Sequence, residues 1–311
     1  LDPREVGDNF TVGVRLNLRE EDPAGYDNDG AIAIAQYLES TGLIDYIHGV
    51  VGNPWGNPSY IQPTWFEPAQ WADLAGNLKR AISLPVVYTG KVNSPEVAEE
   101  IIASGKADVV GIARALIADG EFVAKAREGR SAEIRPCLGC NECISRRYVE
   151  NLGFACAANP VVTHEMDDPW PTAVDSKNVV VVGGGPAGME TAALLAEGGH
   201  CVRLWEAADE LGGQLLWAVR APKYESYREY LDWQIARLER AGVDVTLSTR
   251  VGAEEIRASG ADTVVIATRC PTPTRLPSRE STPNTSWISA RLSRARRQSA
   301  PGSPSSPRTI T

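Results

Sequence analysis

No stretch of this 311-residue chain approaches the about 18 to 20 consecutive apolar residues that a membrane-spanning helix needs. The opening LDPREVGDNF also lacks the basic-then-apolar order of a secretory signal. Both absences predict a cytoplasmic protein with no membrane partner. A composition of 43% hydrophobic, 23% charged and 7% aromatic residues, with mean hydropathy −0.22, excludes collagen-like and wholly disordered chains. Positive charge is scarce outside the C-terminal end. The formal charge is −9, yet residues 269–311 hold eight Arg against one acid, Glu280, which leaves −16 on residues 1–268. A main body that acidic predicts no nucleic-acid partner. A secreted disulfide framework is lacking too. Four of the six Cys fall within 137–156, a clustering that points to metal or redox chemistry.

From residue 10 to about 130, apolar runs alternate with helical stretches. Strands are expected at Phe10–Leu16, Tyr46–Val51, Pro85–Thr89 and Asp108–Ile112, and helices at Ala31–Thr41, Pro68–Ser83 and Pro95–Ser104. Trp71, Leu74, Leu78 and Ile82 lie on one face of the second helix. Such repetition predicts right-handed parallel βα units. Four units cannot close an eight-stranded barrel, so either a small open sheet or the second half of a barrel is expected. The missing initiator Met at Leu1 favours the half barrel. After a polar, Pro-containing linker, THEMDDPWPTAVDSKN, a doubly wound α/β pattern begins. Its strands are expected at Val179–Val182, Cys201–Glu206, Val243–Leu247 and Thr263–Ala267, with helices at Pro186–Glu197 and Tyr224–Ala241. The Ser/Pro/Thr/Arg-rich remainder has almost no core-forming residues and is expected to be disordered.

Cys137, Cys140, Cys143 and Cys156 form C-x2-C-x2-C-x12-C. Three closely spaced thiolates with a fourth from a loop suit the corners of a 4Fe–4S cluster, whereas zinc, the weaker alternative, usually takes two separated pairs. Cys201, in an apolar strand, reads as an inert core thiol. Cys270 lies in the tail. Gly183-x-Gly185-x-x-Gly188 follows a strand and opens a helix, the setting of a dinucleotide fingerprint. Glu206, at the end of the next strand, can accept from ribose hydroxyls and would repel a 2′-phosphate. With Leu211-Gly212-Gly213-Gln214, these residues predict a site for FAD or ADP.

A βα repeat, this cysteine spacing and a dinucleotide fold in that order resemble the iron–sulfur flavoproteins of the old yellow enzyme (NADH:flavin oxidoreductase) family, over about residues 5–268. That family includes trimethylamine dehydrogenase-like amine dehydrogenases and 2,4-dienoyl-CoA reductase-like enoate reductases. The implied fold is α/β: the C-terminal half of an FMN-binding TIM (β/α)8 barrel over 1–134 and a cluster segment over 135–165. A partial Rossmann-like dinucleotide-binding domain over 176–268 and a tail over 269–311 complete it. The resemblance implies that Arg15 stands beside the flavin pyrimidine and that Gly90, Lys91, Ala113 and Arg114 form the FMN phosphate site. It aligns Trp55 with a substrate-bowl aromatic. A carboxylate expected soon after Trp55 is replaced by Asn57-Pro58, and an aromatic expected in the cluster loop is Arg147. Arg147 is therefore expected either to pair with a substrate carboxylate, as in an N-methylated amino acid, or to be a solvated Arg near the cluster.

The cluster spacing and ECISRR look more like the amine-dehydrogenase branch. That implies a small-molecule substrate oxidised at a C–H beside nitrogen, with FMN, a 4Fe–4S cluster and FAD or ADP as cofactors. An electron-transfer protein would be the partner, and a homo-oligomer the form of the complete enzyme. The alternative is an NAD(P)H-dependent enoate reductase, and a third reading is a non-catalytic cluster-binding remnant. Family members place Gly after the strand ending at Thr268, where this chain has Arg269. A premature or out-of-frame end is expected there, with a basic partner-binding arm as the alternative.

Overall fold

In the computed structural model, residues 9–20, 22, 24–53, 60–166 and 172–268 are described. The first sheet consists of β1 (Gly13–Asn17), β2 (Tyr46–Val50), β3 (Val86–Tyr88) and β4 (Val109–Val110), all parallel and in the order β1-β2-β3-β4. Parallel neighbours require crossovers, here made by α1 (Asn28–Ser40), α2 (Ala72–Ala81) and α3 (Pro95–Ala103). A sheet whose strands follow one another without reversal is the pattern of a β/α barrel; a doubly wound sheet reverses direction at its middle. Ile47, Val86 and Tyr88 are fully buried with Ala31, Ala35, Ala75 and Leu78 of the covering helices. The Asp27 side chain accepts from Gly30 N to start α1, and Ser94, followed by Pro95, does the same for α3.

Several boundaries differ from expectation, α1 among them, which starts at Asn28 rather than Ala31, and three have a visible cause. β1 starts at Gly13, because Phe10 is half exposed and finds no strand partner. α2 starts at Ala72, because Ala69 takes a left-handed φ of 50° that a helix cannot include. β4 is only two residues long, since Val109 and Val110 alone pair with Val87 and Tyr88.

The second sheet is made of β5 (Asn178–Val182), β6 (Cys201–Trp205), β7 (Asp244–Thr246) and β8 (Thr263–Ile266), in the order β7-β6-β5-β8 and wholly parallel. Here the order reverses beside β5, which opens a crevice at the carboxyl ends of the strands. β5 is an uninterrupted Val run because both its faces are covered. Against the sheet pack α7 (Pro186–Glu197) and α9 (Glu225–Arg240), with Met189, Ala192, Leu231 and Leu238 in the core.

The two sheets belong to one compact unit. The intervening segment includes short helices α4 (Arg114–Ala118), α5 (Phe122–Arg127) and α6 (Glu142–Tyr148), which the sequence pattern did not announce, along with α8 (Leu215–Ala218) and α10 (Ala253–Ala258) further on. Leu138 and Ala158 of this segment pack against Tyr230 and Trp233 of α9. Arg135 meets both carboxylate oxygens of Glu190 at 3.0 and 3.1 Å; Arg237 meets Glu190 at 2.9 Å and Glu197 at 2.7 Å. Both guanidinium groups approach the Trp233 ring, at 4.7 and 5.4 Å from its centroid. The expected disordered tail, residues 269–311, lies outside the described residues.

Candidate functional site

A cavity of 210 Å³ opens beside Arg15 of β1 and the carboxyl ends of β3 and β4. Arg15, Gly90, Lys91, Ala113 and Arg114 all line it, so the five residues singled out for FMN come together from the middle of β1 and from just past the ends of β3 and β4. A side chain on Gly90 would collide with the Tyr88 hydroxyl, and one on Gly111, also in the wall, with the Thr89 hydroxyl. Both positions therefore present bare backbone to the cavity. Lys91 has a left-handed φ of 50°, and its Nζ donates to the carbonyls of Thr64 (2.8 Å) and Phe66. Burial, with Arg114 nearby, lowers its pKa. Its ammonium thus ties the 60–66 segment to the barrel. The Asn93 side-chain oxygen, on a residue of the same cavity, is buried without a hydrogen-bond partner.

Behind Arg15 stands His48, whose Nε2 lies 2.8 Å from the Thr89 hydroxyl. Burial, and then the Arg15 charge, pull its pKa below the usual histidine range. The cations, exposed backbone and unsatisfied amide fit the phosphate and polar ring edge of a flavin mononucleotide.

Cys137, Cys140, Cys143 and Cys156 line a single second cavity with Leu138, Asn141, Ala157 and Ala158. Among the described residues, no three His, Cys, Asp or Glu side chains converge closely enough to hold a single metal ion. Thiolate sulfurs are donors that both an iron–sulfur centre and a zinc ion take, so the donor set fits either group. Burial pushes the Cys137, Cys140 and Cys143 thiols up, while the Arg114 charge pulls Cys137 and Cys143 the other way. Cys137 and Arg114 line both cavities.

The glycine loop occupies the crevice beside β5. Gly183 has φ +112°, and an added Cβ would sit 2.8 Å from the Ala267 carbonyl carbon. One on Gly188 would strike the Gly183 carbonyl oxygen. Gly185 differs: its φ is −75° and nothing lies within 4 Å of an added Cβ, so that position faces open space at the uncapped N-terminus of the 12-residue α7. Gly213 comes up against Gly185, with its ideal Cβ position 3.1 Å from the Gly185 Cα. The Glu206 carboxylate accepts from Gly184 N at 2.5 Å and Ala208 N at 2.8 Å, bracing the loop from the end of β6. Gln214 is exposed and leads into α8.

Trp55 lies outside the described residues. Arg147 is exposed on α6 and does not line the 210 Å³ cavity, although Ile144 of the same helix does. The expectation of a core thiol at Cys201 is corrected: the residue is exposed at the start of β6, where the strand has not yet entered the core. Thr89, Asn93, His48 and Asn141 were not singled out from the sequence. Only Asn141 carried a signal, since Asn is enriched in the left-handed conformation that it adopts, with φ 59°.

Residues 4–133 match the NADH:flavin oxidoreductase / NADH oxidase family. Over those residues the chain is of that family. Residues 181–224, around the glycine loop, match an NAD(P)-binding Rossmann-like domain. An NADH oxidase of Thermoanaerobacter brockii is 39% identical over 265 residues, covering 85% of this chain and 41% of the relative. The N,N-dimethylglycine/sarcosine dehydrogenase of Chromohalobacter salexigens is 37% identical over 272 residues, covering 85% and 39%. The chain thus spans about 40% of the length of these curated relatives. A solved 2-naphthoyl-CoA reductase complex superposes with TM-score 0.80 at 32% identity, covering 87% of this chain and 42% of that one. Histamine dehydrogenase from Rhizobium sp. 4-9 superposes with TM-score 0.78 at 28% identity, covering 85% and 39%.

Proposed function

We propose that this chain carries the FMN-phosphate, iron–sulfur and nucleotide-binding parts of an oxidoreductase of the amine-dehydrogenase type. The observation that carries this reading is the common wall between the cavity of Arg15, Gly90 and Arg114 and the four-thiol cavity. When bound, the flavin supplies two-electron chemistry at the substrate and the cluster one-electron transfer onward. Arg15 sets a positive charge where a reduced flavin would carry negative charge. Gly90 and Gly111 leave backbone accessible to the phosphate, Arg114 faces it with a cation, and the four Cys hold the cluster. Gly185, Gly213 and the N-terminus of α7 form the nucleotide cradle, for FAD or ADP. The corresponding parts are a half barrel over 1–134, a cluster segment over 135–165 and a partial dinucleotide domain over 176–268.

The substrate class is an N-methylated amine or amino acid, oxidised at the C–H beside nitrogen. Two relatives bear the names N,N-dimethylglycine/sarcosine dehydrogenase and probable N-methylproline demethylase, and dimethylglycine, sarcosine and N-methylproline all carry a carboxylate. The superposition on 2-naphthoyl-CoA reductase favours a second reading, an NAD(P)H-dependent reductase of activated C=C bonds. Stopped-flow reduction of the complete enzyme separates them. Flavin bleaching by sarcosine or dimethylglycine is the expected result. Rapid bleaching by NADH and none by either amine would replace it with the reductase. Iron without bound flavin would leave only a cluster-binding remnant.

A further inference from the structure

Asn141 sits between Cys140 and Cys143, immediately before α6, with its backbone left-handed at φ 59°. An Asn at that place ordinarily uses its side chain to cap the helix. Here it makes no capping bond. Its Oδ1 instead accepts from Arg114 Nη1 at 2.6 Å, and its Nδ2 donates to the Ile61 carbonyl at 3.1 Å. The amide orientation follows from chemistry, because a guanidinium has only donors and a carbonyl only accepts. Ile61 itself lines the flavin cavity. One amide therefore joins the cysteine loop to the flavin cavity twice, once through backbone and once through the cation that both cavities share.

We propose that the Arg114–Asn141 pair is a positioning link that couples the cluster to the flavin-phosphate site. Asn141 holds the Arg114 guanidinium at the common wall. There the fixed positive charge stabilises the reduced, more negative cluster and the same guanidinium stays aligned for the phosphate. The inference rests on the FMN and cluster reading above.

The test uses the 311-residue chain loaded anaerobically with iron, sulfide and FMN, and reads iron content, FMN dissociation constant and cluster potential by mediated titration followed by EPR. Asn141→Gly keeps a residue at ease with positive φ while removing the amide. It is expected to retain the iron, bind FMN about tenfold more weakly, and show about a tenfold lower reduced-to-oxidised ratio at fixed poise, about 59 mV for a one-electron couple. Arg114→Gln is expected to reproduce both shifts, and Arg114→Lys, which keeps charge without the fork, to recover most of the potential but not the FMN affinity. Unchanged potentials in Asn141→Gly and Arg114→Gln at full iron content overturn the link. So does loss of iron and flavin together in Asn141→Gly, which is the mark of a purely structural residue. A wild-type chain that takes up neither iron nor FMN overturns the underlying reading itself.

Discussion

His48 stands in the middle of β2 with one ring nitrogen on the Thr89 hydroxyl and the Arg15 charge close by. Both its partial burial and that charge favour the neutral ring, so its native pKa lies below the ordinary 6.5. The unfolded chain then takes up the proton first as pH falls. The stabilisation is complete above about pH 6.5 and is lost as pH drops through the depressed native value. Urea midpoints compared between pH 7.5 and 5.5 are expected to fall less in His48→Gln than in the wild type. An equal fall in both proteins would remove His48 from the account. A lone His in an apolar strand gives no hint of this from sequence, because Thr89 and Arg15 reach it only through strand pairing.

The glycine loop shows how one element divides its labour. Gly188→Ala drives a methyl group into the Gly183 carbonyl oxygen, and a cost of about 3 kcal/mol is expected in urea denaturation. Gly185→Ala meets no protein atom and has an ordinary φ, so its stability is expected to change by less than about 0.5 kcal/mol. That methyl does fill the space in front of α7. Calorimetric titration with ADP is therefore expected to show about tenfold weaker binding, about 1.4 kcal/mol. Equal stability losses in the two variants would mean that the loop is only a tight turn. The motif G-x-G-x-x-G was legible, along with β5, α7 and β6 nearly to the residue; which glycine faces a ligand and which faces the fold was not.

At the scale of the whole molecule, the cysteine-bearing segment and the second sheet are held together by an ionic clasp around Trp233. Arg135 and Arg237 are 11% and 10% exposed and share Glu190, itself 13% exposed. Arg135 also donates to the Ala158 carbonyl, two residues beyond Cys156, as does the Tyr230 hydroxyl at 3.4 Å. Removing the shared carboxylate leaves two nearly buried cations short of a partner. Glu190→Ala is expected to cost about 3 to 5 kcal/mol, whereas replacing the whole group by apolar residues of similar volume would cost far less. Denaturant unfolding monitored by Trp fluorescence checks the first figure; a loss below about 1 kcal/mol would show that the clasp is already hydrated and weak.

Local pattern alone carried the strand and helix alternation, the four thiols, the glycine fingerprint and the resemblance to flavin oxidoreductases, because each is written within a few consecutive residues. Ala69 and Phe10 escaped it, since a left-handed residue and a strand end that finds no partner are decided by neighbours distant in the chain. So were the tie of Lys91 to the 60–66 segment, the brace of Glu206 on Gly184, and the meeting of Arg114 with Asn141 across 27 residues. The sequence by itself determined which chemical groups this protein possesses and on which elements they ride. Only the tertiary structure decided that Arg15 of β1, the ends of β3 and β4 and the cysteine loop share one wall, because that proximity arises from strand order and helix packing rather than from spacing along the chain.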